Sequence, residues 1–198
     1  MNIINSNQID QETITDKIAN AIKNGGVVVM PFDTVYGFAC DPTNEQALLK
    51  IFELKGRNTA KTIGVATCCI ERLGRAARLS EQNAQFIKKI IPGKLTFILP
   101  VEKKIFSDYC YKDNSVAIRI PDSDLILTTA KKSGGFIAQT SANKSGQGAC
   151  LKLPDFLSQF SKEEKDSIDL IVDGGQIKSE GVSTFWNLLG ANPEKIER

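Results

Sequence analysis

The chain contains no histidine. That absence removes the commonest general base and metal ligand, and with them every Ser-His or Cys-His nucleophile system. The five cysteines, Cys40, Cys68, Cys69, Cys110 and Cys150, include no C-x-x-C pair and have no histidine to complete a zinc set, so no metal ligands are expected. An odd set of unmatched thiols reads as reduced, and points to a cytoplasmic protein. No apolar run approaches the roughly 20 residues that cross a bilayer, and the N-terminal MNIINSNQIDQETITDKIANAI has no basic start followed by an apolar core. No membrane partner or export signal is therefore expected. The 25 lysines and arginines exceed the 23 acidic residues by a formal charge of only +2, too small a global field to gather nucleic acid by itself. Any anion site must come from local clustering. Neither G-x-x-x-x-G-K-[ST] nor a strand running into G-x-G-x-x-G is present, which excludes the common nucleotide cradles. Paired carboxylates suited to glycosidase or two-metal chemistry do not stand out.

What remains is an alternating pattern. At 198 residues, 41% apolar and 24% charged, the chain is long and apolar enough for one globular unit, residues 1–198. Ile9 and Ile14 flank Asp10 as a staple around a helix cap, and Ile14, Ile18, Ala21 and Ile22 recur on one face until Gly25-Gly26. A strand follows over 27–31 and opens into the hydroxyl-rich turn Asp33-Thr34-Val35-Tyr36-Gly37. Thr43 and Gln46 read as a capping box for a second helix with a Leu48, Ile51, Phe52 stripe, ending at Lys55-Gly56-Arg57. Strands are expected over 63–67, 95–99, 115–120, 135–139, 170–172 and 182–188, with helices from Ser80, from Asp122 to Lys132, and from Pro154. No repeat or linker divides them. The pattern predicts an α/β fold, with small-molecule sites beyond the strand ends.

Several strands end in similar polar groups: Thr34 and Tyr36, then Thr140 to Gly146, then Ser183-Thr184. In the strand over 115–120, Val116, Ile118 and Ile120 share one face, so period-2 geometry sends Arg119 to the other, where it needs an anion. Lys55, Arg57 and Lys61 add three cations near a helix end. Each feature also has a plain structural reading, since cations complement a helix dipole and Ser, Thr and Asn cap turns. Together they are the kit for holding phosphates and a carboxylate, and they point to phosphoryl or nucleotidyl transfer by positioning and electrostatic stabilisation.

The segments FDTVYGFACDPTN, Lys55-Gly56-Arg57 with Lys61, PGKLTFIL, SVAIRIPDSDL, TSANKSG and GVST resemble, in order and spacing, those of the YrdC/TsaC family of threonylcarbamoyl-AMP synthases, over roughly residues 10–198. The resemblance implies a twisted open mixed sheet flanked by helices, YrdC-like, with a concave basic cleft. It implies a nucleotidyltransferase that joins L-threonine, bicarbonate and ATP into threonylcarbamoyl-AMP and pyrophosphate, with Mg2+ travelling on the nucleotide and no prosthetic group. A TsaD-type transferase and tRNA would follow downstream. By the same resemblance Lys55 and Arg57 would be catalytic, Thr34, Arg119 and Ser183 would hold threonine, and Arg57, Lys61, Ser115, Ser141, Asn143 and Arg198 would hold ATP. Removing Arg57 or Arg119 is expected to leave folding intact and to lower turnover by about 100- to 1,000-fold. The sequence departs from the family pattern at Phe32, Asn58 and Lys94. Other readings are an RNA-binding module of the same fold, which three Tyr and one Trp and a near-neutral charge argue against, a relative acting on another carbamoyl-type substrate, or a paralogue with a dead site.

Overall fold

In the first helix, α1 (Gln11–Lys23), the Asp10 carboxylate accepts the Thr13 amide at 2.8 Å. That bond draws the carboxyl pKa below its ordinary value. Ile14, Ile18 and Ile22 form its buried stripe, and Gly25, at φ +82°, turns the chain out of it. The computed structural model describes residues 1–91, 93–178, 183–190 and 192–196. Among them the strands are β1 (Ile3–Asn5), β2 (Val28–Pro31), β3 (Tyr36–Cys40), β4 (Gly64–Thr67), β5 (Leu95–Pro100), β6 (Tyr111–Lys112), β7 (Ser115–Arg119), β8 (Phe136–Ser141), β9 (Leu170–Asp173), β10 (Thr184–Asn187) and β11 (Glu194–Ile196). The other helices are α2 (Glu45–Lys55), α3 (Ile70–Ala76), α4 (Glu81–Ile90), α5 (Asp124–Lys132), α6 (Leu153–Gln159) and α7 (Lys162–Asp166).

All the strands join one mixed sheet in the order β1-β9-β2-β3-β8-β4-β7-β5-β10-β11, with β6 paired to β7. Pairing is parallel between β9 and β2, β4 and β7, and β5 and β10, and antiparallel through β2-β3-β8-β4. This is the α/β architecture the alternation predicts. Successive residues feed opposite cores. Phe38, Val65, Phe97, Ile118 and Ala138 pack with α2 and α6 on one side; Ala39, Ala66 and Ile137 pack with α1 and α5 on the other. Each fully buried Ile, Phe or Leu contributes on the order of 1.5–3 kcal/mol of transfer free energy.

Three expectations change. The cap of α2 is Asn44, whose side chain accepts the Ala47 amide at 3.1 Å, while Thr43 is held by Asp41; the capping box on Thr43 and Gln46 does not form. Helix α5 begins at Asp124 rather than Asp122. Tyr36, expected among the polar groups at a strand end, is fully buried at the start of β3. Its hydroxyl donates to Gly175 O at 2.8 Å and accepts the Gly174 amide at 2.9 Å, fastening β3 to the end of β9. Burial, with Asp173 nearby, pushes that hydroxyl up to about 12. The first residue expected in the last strand, Val182, lies outside the described residues.

Candidate active site

Alternation along the strands decides what lines the rest of the α1/α5 face. Residues at even spacing from Ala66 and Ile137 share their side, so Gly64, Gln139 and Ser141 point the same way but beyond the helices. Arg119 lies opposite Ala66 in the register of β4 and β7, with Ala117 two residues before it. Phe185 pairs with Thr96. There the sheet face opens into a cleft of about 420 Å³, lined also by Thr34, Val35, Arg57, Thr62, Thr140 and Ser183. That volume falls in the range of roughly 300–1,000 Å³ typical of small-molecule sites.

The end of α2 sorts two cations onto different paths. Gly56 is in the left-handed conformation at φ +57°, and the Arg57 amide bonds back to Phe52 O at 3.0 Å. Arg57 therefore emerges into the cleft, where its guanidinium donates to Thr62 O at 2.8 Å and Thr140 Oγ1 at 3.1 Å. Partial burial lowers its pKa. Lys55, one residue before the glycine, is instead buried beneath the segment after β8. Its ammonium donates to Ser141 O and, at 2.9 Å, to Asn143 O. Burial, then the charge of Arg57, pushes Lys55 down to about 7. Lys55 does not line the cleft: its donors are engaged by the backbone that presents Ser141.

Arg119 also differs from its expected environment. The anion it needs is supplied internally by Asp33, with both side chains 3% exposed. Arg119 Nε and Asp33 Oδ1 have no partner among the described residues. Burial lowers the Arg119 pKa and the Asp33 charge opposes that shift. On the opposite wall, Thr96 Oγ1 donates to Ser183 Oγ at 3.2 Å. The Thr34 hydroxyl, 6% exposed by residue, makes no hydrogen bond among the described residues.

Of the expected site residues, Thr34, Arg57, Arg119, Ser141 and Ser183 meet in this one cleft. Lys61 is exposed beside Thr62, outside the lining. Ser115 sits two residues before Ala117 on the same strand face, its hydroxyl donating to Lys112 O at 2.6 Å. Asn143 lies beyond the cleft, donating to Lys144 O and Gln147 O at 2.9 and 2.7 Å to hold the turn that follows. Arg198 lies outside the described residues. Thr140, expected among the polar groups after the strand over 135–139, also lines the cleft, whereas sequence reasoning missed Thr62, Thr96 and Gln139, the last of them inside that strand. Among the described residues no group of three or more Cys, Asp or Glu could hold a metal ion, and no helix is long and apolar enough to cross a membrane.

The family model for Sua5, YciO and YrdC, described as telomere recombination, matches residues 20–198. The threonylcarbamoyl-AMP synthase of Mus musculus is 32% identical over 158 residues, 79% of this chain and 54% of that protein. That of Klebsiella pneumoniae is 28% identical over 172 residues, 85% of this chain and 87% of that one. The chain thus spans about half (54%) of the length of the mammalian relatives it matches. P. abyssi Sua5 complexed with L-threonine superposes with a TM-score of 0.87 at 28% identity, over 100% of this chain and 57% of that one. E. coli YciO, at 19% identity and a TM-score of 0.81 over 99% of this chain and 93% of that one, shares the fold.

Proposed function

The chain belongs to the Sua5, YciO and YrdC family, and from that premise we propose that it is an L-threonylcarbamoyladenylate synthase, a nucleotidyltransferase acting on L-threonine, bicarbonate and ATP. The observation that carries this reading is the convergence of Thr34, Arg57, Arg119, Ser141 and Ser183, from five separate segments, on one cleft. Relatives named threonylcarbamoyl-AMP synthase, and a structural neighbour described with L-threonine bound, support it.

The chemistry asks for little covalent participation by the protein. The threonine amine attacks the carbon of CO2 derived from bicarbonate and loses a proton, giving a carbamate. A carbamate oxygen then attacks the α-phosphorus, the bond to the bridging oxygen breaks, and pyrophosphate leaves with the electron pair. Negative charge grows on that leaving group. Arg57, whose partners among the described residues are neutral oxygens, has charge to offer it, and the Ser141 and Thr140 hydroxyls line the same cleft. Magnesium arrives on the nucleotide as part of the substrate. Thr34, Thr96 and Ser183 give the other end the hydroxyls needed to recognise a small β-hydroxy amino acid. Lys61, Ser115, Asn143 and Arg198 belong to the nucleotide side by family resemblance. The adenylate would pass to a TsaD-type transferase acting on tRNA.

The test incubates pure protein with ATP, labelled bicarbonate and each amino acid in turn. Threonine-dependent pyrophosphate and an acid-labile labelled adenylate are expected. Salt-sensitive retention of RNA with no product would refute the synthase and favour an RNA-binding module.

A further inference from the structure

Asp33 has no part in the reaction described above, yet it is the carboxylate bonded to Arg119 of the cleft lining, and among the described residues none of the lining side chains is itself acidic. Its Oδ2 pairs with Arg119 and lies 3.4 Å from the Asp122 amide, its Oδ1 is buried without a partner among the described residues, and its chain neighbour is Thr34. We infer that Asp33 is the positioning residue of the amino-acid end of the cleft, and that by neutralising Arg119 it makes this end a receptor for a zwitterion rather than for a phosphate.

The physical reason is an asymmetry between the two arginines. Among the described residues Arg57 donates to a carbonyl and a hydroxyl and to no carboxylate, which leaves its charge to attract a multiply charged anion. Arg119 is held in a pair of zero net charge, both members 3% exposed. A phosphate approaching that pair meets attraction from the guanidinium opposed by repulsion from the carboxylate bonded to it, both little screened because the pair is buried. A zwitterion has a carboxylate and an ammonium to set against the same two charges, so it gains where a phosphate does not. Discrimination between the substrates is thereby built into the floor, and one triphosphate cannot occupy both ends. This rests on the proposed function only for the identity of the amino acid.

Calorimetric titration of the whole protein with L-threonine, with ATP and with inorganic phosphate tests the inference. For the wild type, phosphate is expected to be displaced by ATP and not by threonine. In Asp33→Asn, threonine affinity should fall at least about tenfold, ATP affinity should change less than about twofold, and phosphate should gain a site from which threonine displaces it. Asp33→Glu, which keeps the charge, should exclude phosphate again. Phosphate that competes with threonine on the wild type would overturn the inference without any variant. So would a folded Asp33→Asn protein with unchanged threonine affinity, or with threonine and ATP weakened alike. Because every readout is binding, these outcomes keep their meaning whether or not the adenylate forms.

Discussion

Replacing Lys55 by methionine separates two roles that one lysine combines. In the unfolded chain the ammonium keeps its proton to about 10.5, whereas in the folded protein burial pushes it down to about 7. Between those values the unfolded state holds one more proton, so raising the pH from 7 favours the folded state, by about 1.36 kcal/mol per unit. Over pH 7 to 8.5 that contribution of Lys55 amounts to about 2 kcal/mol, while unfolded thiols that ionise near 8.5 and stay protonated when buried oppose it equally in wild type and variant. Below pH 7 the full shift acts as a penalty on the order of 5 kcal/mol, which methionine removes. Methionine also strips the partner from Ser141 O and Asn143 O, at about 1–3 kcal/mol each. These opposed effects nearly cancel at pH 6, so Lys55→Met should be close to the wild type there. Urea denaturation at pH 6, 7 and 8.5 should then show the wild type gaining about 2 kcal/mol on the variant between pH 7 and 8.5, the thiol contribution being common to both. Turnover should drop roughly 100-fold at every pH, because the backbone presenting Ser141 loses its anchor. Parallel pH curves would refute the buried titration, and wild-type turnover in Lys55→Met would refute the anchoring role.

Arg57→Ala should lose about 100- to 1,000-fold in kcat, measured by pyrophosphate release, with a melting temperature near the wild type because Arg57 is only partly buried. Arg119→Ala should behave differently from the sequence expectation of normal folding: it leaves Asp33 buried and uncompensated, at about 3–5 kcal/mol, which denaturant melts would detect. At Gly37 an added Cβ would lie 2.6 Å from the Phe32 ring and 3.0 Å from Thr140 O. Gly37→Ala should therefore destabilise by about 1–3 kcal/mol, with partial recovery in a double variant that also carries Phe32→Leu.

How much is legible in advance depends on whether the signal is local. Asp10, Ile14, Ile18 and Ile22 set the first helix through contacts a few residues apart, and the structure keeps it. Strand β3 reads only as a turn, because Tyr36 to Cys40 are buried on both faces and so show no alternation. Helix α3 spans only seven residues, with Gly74 inside and only Leu73 and Ala76 buried, too few for a periodic stripe. At the site, period-2 spacing puts Arg119 on the correct face, but its partner Asp33 is 86 residues away and nothing near Arg119 announces it. Lys55 and Arg57 read as one cluster because the sequence does not show that Gly56 sends them opposite ways. Gln139 is legible by the same period-2 rule, two residues beyond Ile137, but an uncharged amide carries no obvious chemistry to draw attention to it.

These differences share a cause that bears on how the cleft works. Lys55 and Tyr36, which the sequence offers as polar site groups, and Asp33, which it does not, all have buried side chains committed to backbone or to another side chain. Each also fastens a different wall. Lys55 holds the backbone at 141–143, Tyr36 ties β3 to the segment at 174–175, and Asp33 joins the turn carrying Thr34 to the end of β7. Six of the thirteen residues lining the cleft carry short hydroxyls, which have little rotamer entropy to lose and owe their aim to the backbone beneath them. A site built this way can stabilise charge without rearranging when charge develops, because the reorganisation was completed on folding.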